Sequence, residues 1–246
     1  MAIQKIFLSL FVFSSFVFTC LLFGVVGPFF IFFEVVFRSV PVGRVIRHLI
    51  RLYGCFLVRL TSLLIPVEVE NRAGDLPLPV VFVANHCSAI DPYLFGLIAC
   101  ENAFVTSWPF MIPIHSLLMR MAEYVDARGG WVEIESQGKA LLDKGCSVTV
   151  WPEGHRSRDG KLRRFRKGAF KLAAAAHRPV VPVCIFGSGE ILPPGHRLFR
   201  PGRIRIIVLP PVFPSQEDDL EVRVTGLKDE AHQRIADELK LRSGKS

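Results

Sequence analysis

The residues best suited to chemistry fall in two short stretches, Asn85-His86-Cys87-Ser88-Ala89-Ile90-Asp91 and Trp151-Pro152-Glu153-Gly154-His155-Arg156-Ser157. In the first, an apolar run over Val80–Ala84 leads directly into a His and an Asp five positions apart, and Pro92 follows. Where a strand gives way to a helix, that spacing lets the carboxylate fold back onto one ring nitrogen and leave the other facing outward. Such a pair is an oriented general base. The carboxylate fixes the tautomer and steadies the protonated ring, and a base of this kind contributes roughly 10²–10⁴ in rate. A plainer reading stays open here, in which Asp91 caps a helix opened by Pro92 and His86 is a surface residue.

In the second stretch, a Gly-containing turn follows an expected strand and presents Arg156, whose guanidinium suits two parallel hydrogen bonds to a phosphate. Glu153 is placed to hold that Arg or to accept from a substrate hydroxyl. Downstream, Arg158, Lys161, Arg163, Arg164, Arg166, Lys167 and Lys171 are opposed only by Asp159. That imbalance makes an electrostatic funnel for a polyanion. The same cluster would also suit a solvated loop or a patch on lipid headgroups.

The elements that must position these stretches alternate as in an α/β domain. Strands are expected over Val80–Ala84, Phe104–Thr106, Tyr124–Val125, Ser147–Trp151, Val180–Phe186 and Arg203–Leu209. Helices are expected over Pro92–Cys100, Ser116–Met121, Glu135–Lys144 and Phe165–His177. A last helix is capped by Ser215, with breaks near Thr225-Gly226. The fold class is therefore α/β, a mostly parallel central sheet flanked by helices.

Composition sets the surroundings. The chain has 246 residues, a formal net charge of +8, and 50% hydrophobic residues, with a mean hydropathy of +0.38. This excludes a disordered chain and favours an anionic partner. Six cysteines without metal-ligand spacing read as reduced, mostly buried thiols. Of 21 phenylalanines, eleven lie between Phe7 and Phe37. From Ile6 to Val26 run 21 uncharged residues, a helix of about 32 Å against a hydrocarbon core of about 30 Å. A cleaved signal peptide fits less well, since the apolar run continues past Gly27-Pro28. That pair should break or kink the helix, leaving either one spanning helix with an interfacial extension or a helical hairpin.

Arg38, Arg44, Arg47, Arg51 and Arg59 then follow with no carboxylate between Glu34 and Glu68. They place the downstream chain in the cytoplasm and form a basic amphipathic helix suited to anionic lipid, or else a core helix with a wet basic edge. The expected organisation is a membrane-embedded segment over 1–40, an interfacial helix over 41–65, an α/β domain over 66–214 and a C-terminal helix over 215–246. The location is the cytoplasmic or inner membrane.

NHCSAID, an Arg after a short strand (Arg128), WPEGHRS and Val181-Pro182-Val183, in that order, resemble the four motifs of the 1-acylglycerol-3-phosphate O-acyltransferase (lysophospholipid acyltransferase) family. The similarity runs from about Pro66 to Pro214. It implies that His86 activates an acceptor hydroxyl with Asp91 as partner, and that Glu153, Gly154, Arg156 and Lys167 bind the acceptor, with Arg128 at its phosphate. Val181, Pro182 and Val183 would shape the acyl-donor side. The implied reaction transfers a fatty acyl group from acyl-CoA or acyl carrier protein to a lysolipid, with membrane lipids around it and with no metal, cofactor, covalent acyl-enzyme or nucleic acid partner. Lysophosphatidate is the first-choice acceptor and another lysophospholipid or an aminoacyl lysolipid its rival.

Three positions depart from the family pattern. His155 stands where Thr is usual, Val125-Asp126-Ala127-Arg128 holds one residue more before its Arg, and Thr106 to Phe110 lacks a lysine pair. A serine hydrolase lacks its G-x-S-x-G, and a nucleotide-binding protein its glycine-rich loop. A membrane-tethered anion-binding adaptor would leave the placement of His86 and Asp91 unexplained.

Overall fold

The apolar runs Val81–Ala84 and Val180–Phe186 are strands buried on both faces, and in the computed structural model, which describes residues 2–243, they lie inside one seven-stranded sheet. Its strands are β1 (Val67–Asn71), β2 (Val81–Ala84), β3 (Asn102–Thr106), β4 (Val125–Asp126), β5 (Ser147–Val150), β6 (Val180–Phe186) and β7 (Ile204–Val208). They lie in the order β1-β7-β6-β2-β5-β3-β4. Every neighbouring pair is parallel except β6 with β7. The expected mostly parallel sheet is present, with β1 added at an edge.

The connections between strands explain where a site can form. From β2 the chain passes through the short helix α3 (Asp91–Leu94) and a 3₁₀ turn (Phe95–Leu97) to β3. It then runs through a second 3₁₀ turn (Trp108–Met111) and α4 (Pro113–Met121) to β4. Both steps move outward to the β4 edge. From there α5 (Trp131–Asp143) returns the chain to β5, and α6 (Gly168–Ala175) carries it on to β6. Because such crossovers are right-handed, the outward and returning steps put their helices on opposite faces of the sheet. β2 and β5 are neighbours whose exits diverge to those two faces, so a crevice opens at their carboxyl ends. His86 and Glu153 stand at that switch point.

The last elements are the short α7 (Ser188–Ile191) and α8 (Leu220–Ser243). Asp219, rather than the expected Ser215, accepts from the Glu221 amide at 2.8 Å and starts α8. The helix runs unbroken through Thr225-Gly226. Val224, Leu227, Ala231 and Ile235 recur at helical spacing and are all buried, and that packing outweighs the roughly 1 kcal/mol cost of one helical Gly. The helix expected over Phe165–His177 begins only at Gly168, because the Arg166 amide is held by the Pro152 carbonyl at 2.8 Å.

At the N-terminus, α1 (Ala2–Arg38) is a single helix of 37 residues, long and apolar enough to cross a membrane. The break expected at Gly27-Pro28 is absent. One lost backbone bond is tolerable in a helix whose remaining bonds and packing hold it, with Gly27 set against Leu49. Three of its hydroxyl side chains, Ser9, Ser15 and Thr19, turn inward. The Ser9 hydroxyl donates to Lys5 O at 2.7 Å and accepts the Phe199 amide at 2.8 Å, while Thr19 donates to Ser15 O. Phenylalanines such as Phe7, Phe29 and Phe37 stay exposed.

The chain reverses at residues 39–41, and α2 (Val42–Thr61) packs back along α1 through Tyr53 on Phe16 and Phe23, and His48 on Phe30. Its other side buries Val45, Ile46, Leu57 and Val58 against the domain. Arg47, expected among the lipid-facing arginines, is instead only 4% exposed. It bonds Glu101 at 2.7 and 3.0 Å, Glu123 at 2.7 Å and the Ala122 carbonyl at 3.0 Å. A buried cation needs such partners. Close by, α2 meets the turn after α3 backbone to backbone. A Cβ on Gly96 would stand 2.4 Å from the Cys55 amide nitrogen, and one on Gly54 would stand 2.9 Å from the Tyr93 carbonyl.

Candidate active site

Asn85 continues β2 with its side chain. Its amide donates to Ile185 O at 2.8 Å and accepts from Ile185 N at 2.8 Å, imitating a strand pairing with β6. This pins the chain just before His86. The loop then turns so that one oxygen of Asp91, Oδ2, accepts from His86 Nδ1 at 2.8 Å and from the amides of Cys87 at 2.8 Å and Ser88 at 2.9 Å. Asp91 is fully buried, and its other oxygen has no partner among the described residues. The carboxylate therefore both ties the turn and orients the ring; it does not cap the helix, since Asp91 is the first residue of α3 and the N-cap position, Ile90, makes no side-chain capping bond. With Nδ1 engaged, Nε2 is the nitrogen left for a substrate. The ring also lies on the Trp151 indole, with centroids 4.9 Å apart and planes 29° apart, and Trp151 stacks in turn on Phe104. Trp151, read from the sequence only as a strand end, is the shelf beneath the imidazole.

Glu153 does not face a substrate as expected. It is buried, and its two oxygens accept backbone amides, His86 N at 2.8 Å and Arg163 N at 3.0 Å. Burial raises its carboxyl above the ordinary carboxylate value, against the lowering by these two amides. Its work is to join the two loops, and the Ser157 amide adds a bond to His86 O at 2.7 Å. Gly154 takes φ +78°, which favours glycine, and a Cβ there would lie 2.9 Å from the Arg166 guanidinium.

The basic side chains divide in two. Arg156, Arg158, Arg164 and Arg166 have no carboxylate partner among the described residues. Others are engaged. Lys167, expected at the acceptor, reaches away to Glu221 of α8, which also takes Lys171. Arg166, one position earlier, is the side chain that lies over Gly154. Arg128 forms a fork with Asp126, at 2.6 Å for Nη2 and 3.0 Å for Nε, and this pairing holds the Asp126 carboxyl below its usual range. A phosphate at Arg128 would have to displace that partner. Val181, Pro182 and Val183 are buried in β6.

Among the described residues, no hydroxyl or thiol is hydrogen-bonded to His86 as a nucleophile would be. Ser88 donates to Leu192 O, and Ser157 to Asp159 and Lys161 O. Burial and the nearby Asp91 charge push the Cys87 thiol up to about 12, so it stays protonated. The arrangement can take a proton from an incoming hydroxyl and offer guanidiniums to its anionic part.

A model of the acyltransferase family matches residues 66–186. Over 169 residues the chain is 34% identical to a chloroplast 1-acyl-sn-glycerol-3-phosphate acyltransferase of Brassica napus, covering 66% of this chain and 47% of that protein. Over 190 residues it is 33% identical to 1-acyl-sn-glycerol-3-phosphate acyltransferase alpha of Bos taurus, covering 71% and 62%. The chain spans about half the length of the plant relatives it matches. It is also similar to the crystal structure of the 1-acyl-sn-glycerophosphate acyltransferase PlsC from Thermotoga maritima. That likeness has a TM-score of 0.71 at 25% identity and covers 96% of this chain and 97% of that one. The matched residues begin at the first strand and end with β6, so the stretch that matches the acyltransferase family is the one that encloses both loops of the switch point.

Proposed function

We propose that the protein transfers a fatty acyl group from an acyl thioester to the free hydroxyl of a lysolipid, 1-acyl-sn-glycerol-3-phosphate giving phosphatidic acid. The observation that carries this reading is the 2.8 Å contact between His86 Nδ1 and Asp91 Oδ2, which leaves Nε2 free for the acceptor. His86 Nε2 removes the hydroxyl proton as the oxygen attacks the thioester carbonyl. The tetrahedral adduct collapses, the carbon–sulfur bond breaks, and the imidazolium returns its proton to the departing thiolate. Asp91 supports the positive ring while it exists. Arg156 and Arg166, both without carboxylate partners, bind the phosphate as paired charge-assisted donors. The thioester is carried by coenzyme A or acyl carrier protein, and the arginine-rich N-terminal flank supports a domain on the cytoplasmic side.

The test offers purified protein palmitoyl-CoA or palmitoyl carrier protein with a panel of lysolipids and follows thiol release. Lysophosphatidate should be the best acceptor, with release lost in His86→Ala. One observation favours a second reading, in which the acceptor lacks a phosphomonoester: the Arg128 fork is already filled by Asp126. A lysophosphodiester outrunning lysophosphatidate in the panel selects that reading.

A further inference from the structure

Among the described segments outside α1, the one from Trp108 to Met121 leaves the most apolar surface bare. Phe110 and Met119 point into the domain and are buried. Ile114, Leu117, Leu118 and Met121 recur at helical spacing on another side of α4 and are all exposed, Ile114 at 75%, and Trp108 and Met111 of the preceding turn are exposed as well, Trp108 at 65%. A helix with one apolar face on a core and a second in water is unfavourable, at about 25 cal/mol per Å² left wet. Something apolar covers the second face.

Position and charge identify what does. β3 is parallel to β5, which is parallel to β2, so Trp108, just past the end of β3, lies at the same sheet edge as His86. Other exposed apolar side chains collect along that edge: Leu63 and Leu64 before β1, Val132 at the start of α5, and Leu198 beside the Phe199 that holds α1. α4 also adjoins α2, and α2 adjoins α1, so this surface continues from the helix long enough to cross a membrane. From Asn102 to Ala122 there is no carboxylate, and the charged or titratable side chains are His115 and Arg120, both exposed. An indole, bulky aliphatics and a basic residue without acidic relief suit the headgroup–acyl boundary of an anionic bilayer.

We propose that residues 108–121 form a second lipid-contacting surface, separate from α1, which seats the carboxyl edge of the sheet, and with it the His86 loop, directly on the bilayer. A long-chain lysolipid then reaches the base from within the lipid surface, without crossing water.

The test uses the full chain in phosphatidylcholine–phosphatidylglycerol vesicles, with and without bromine on the lipid acyl chains. Tryptophan emission is compared between the parent and Trp108→Phe, so that the difference isolates Trp108 from Trp131 and Trp151; α1 has no tryptophan. The expected result is that bromolipid removes more than half of the Trp108 component and aqueous iodide does not reach it. Quenching by iodide but not bromolipid, or by neither, as in an interface with a second copy or another protein, overturns the proposal. The double variant Ile114→Ser, Leu117→Ser supplies an independent readout. It should raise KM several-fold for a long-chain lysolipid in vesicles and leave kinetics with a water-soluble short-chain acceptor unchanged. Equal effects on both, or on neither, reject it. The quenching needs no turnover, so its failure and failure of the acyl-transfer reading are distinguishable.

Discussion

Two loops meet at the ends of β2 and β5, and they are built on opposite plans. The loop from Asn85 to Asp91 is held by bonds within the chain: both ends of the Asn85 amide, one oxygen of Asp91 serving three donors, and Glu153 on the His86 amide. The loop from Arg156 to Arg166 leaves four guanidiniums exposed, without a carboxylate among the described residues. Groups that must hold a reacting atom in one place are tied down before the substrate arrives. Groups that recognise charge are left to spend their donors on the ligand. Substitutions in the first loop should therefore lower kcat, and those in the second should raise KM.

The largest effect should come from His86→Ala, with kcat down by about 10³-fold or more, since the base is removed outright. Intact acceptor binding by calorimetry alongside that loss would sharpen the contrast, and a kcat within a few-fold of the parent would break it. Asp91→Asn keeps the size of the side chain but puts an amide against the ring, and kcat should fall by roughly 10²-fold from the wrong tautomer and orientation. Replacing Arg156 or Arg166 by Ala should raise KM for lysophosphatidate about tenfold with kcat nearly kept, matching one lost charge-assisted contact of about 1.5–3 kcal/mol. Added salt should weaken acceptor binding in the parent more than in either variant. The smallest changes should be those of Lys167→Ala and Arg128→Ala, within about twofold, because their exposed ion pairs carry little energy. A large KM effect at Arg128 would show that its fork opens to a phosphate.

Glu153 bridges the two plans and titrates accordingly. Its carboxyl lies above the ordinary value, so the folded protein holds that proton more tightly than the unfolded chain. Its contribution to stability is full below the unfolded pKa and is lost as pH rises through the raised one. In Glu153→Gln, the difference in Tm from the parent should shift across that window, from about pH 4 upward, as differential scanning fluorimetry would show.

What the sequence disclosed follows from how local each feature is. His86 and Asp91 are five residues apart, and the turn between them is closed by local backbone amides, so spacing makes them candidates and the ordered motifs around them separate the pair from a plain helix cap. Arg47 was read as lipid-facing because its partners are far along the chain, and its burial depends on two carboxylates that only the fold brings near. Lys167 and Arg166 differ by one place in a loop, and only the fold sends Lys167 to Glu221 and lays Arg166 over Gly154. β1 was overlooked although Val67-Glu68-Val69-Glu70 alternates with the period of a strand. It is a half-wet edge strand and lacks the continuous apolar run of its neighbours.

The contact between Gly54 and Gly96 carries a consequence for the whole molecule. Main chain touches main chain there, without the cushion that side chains give by changing rotamer. The α1–α2 pair and the turn that carries His86 and Asp91 consequently behave as one mechanical part. The pose of the helix pair and the direction of the imidazole are settled together, and neither can be adjusted while the other stays put.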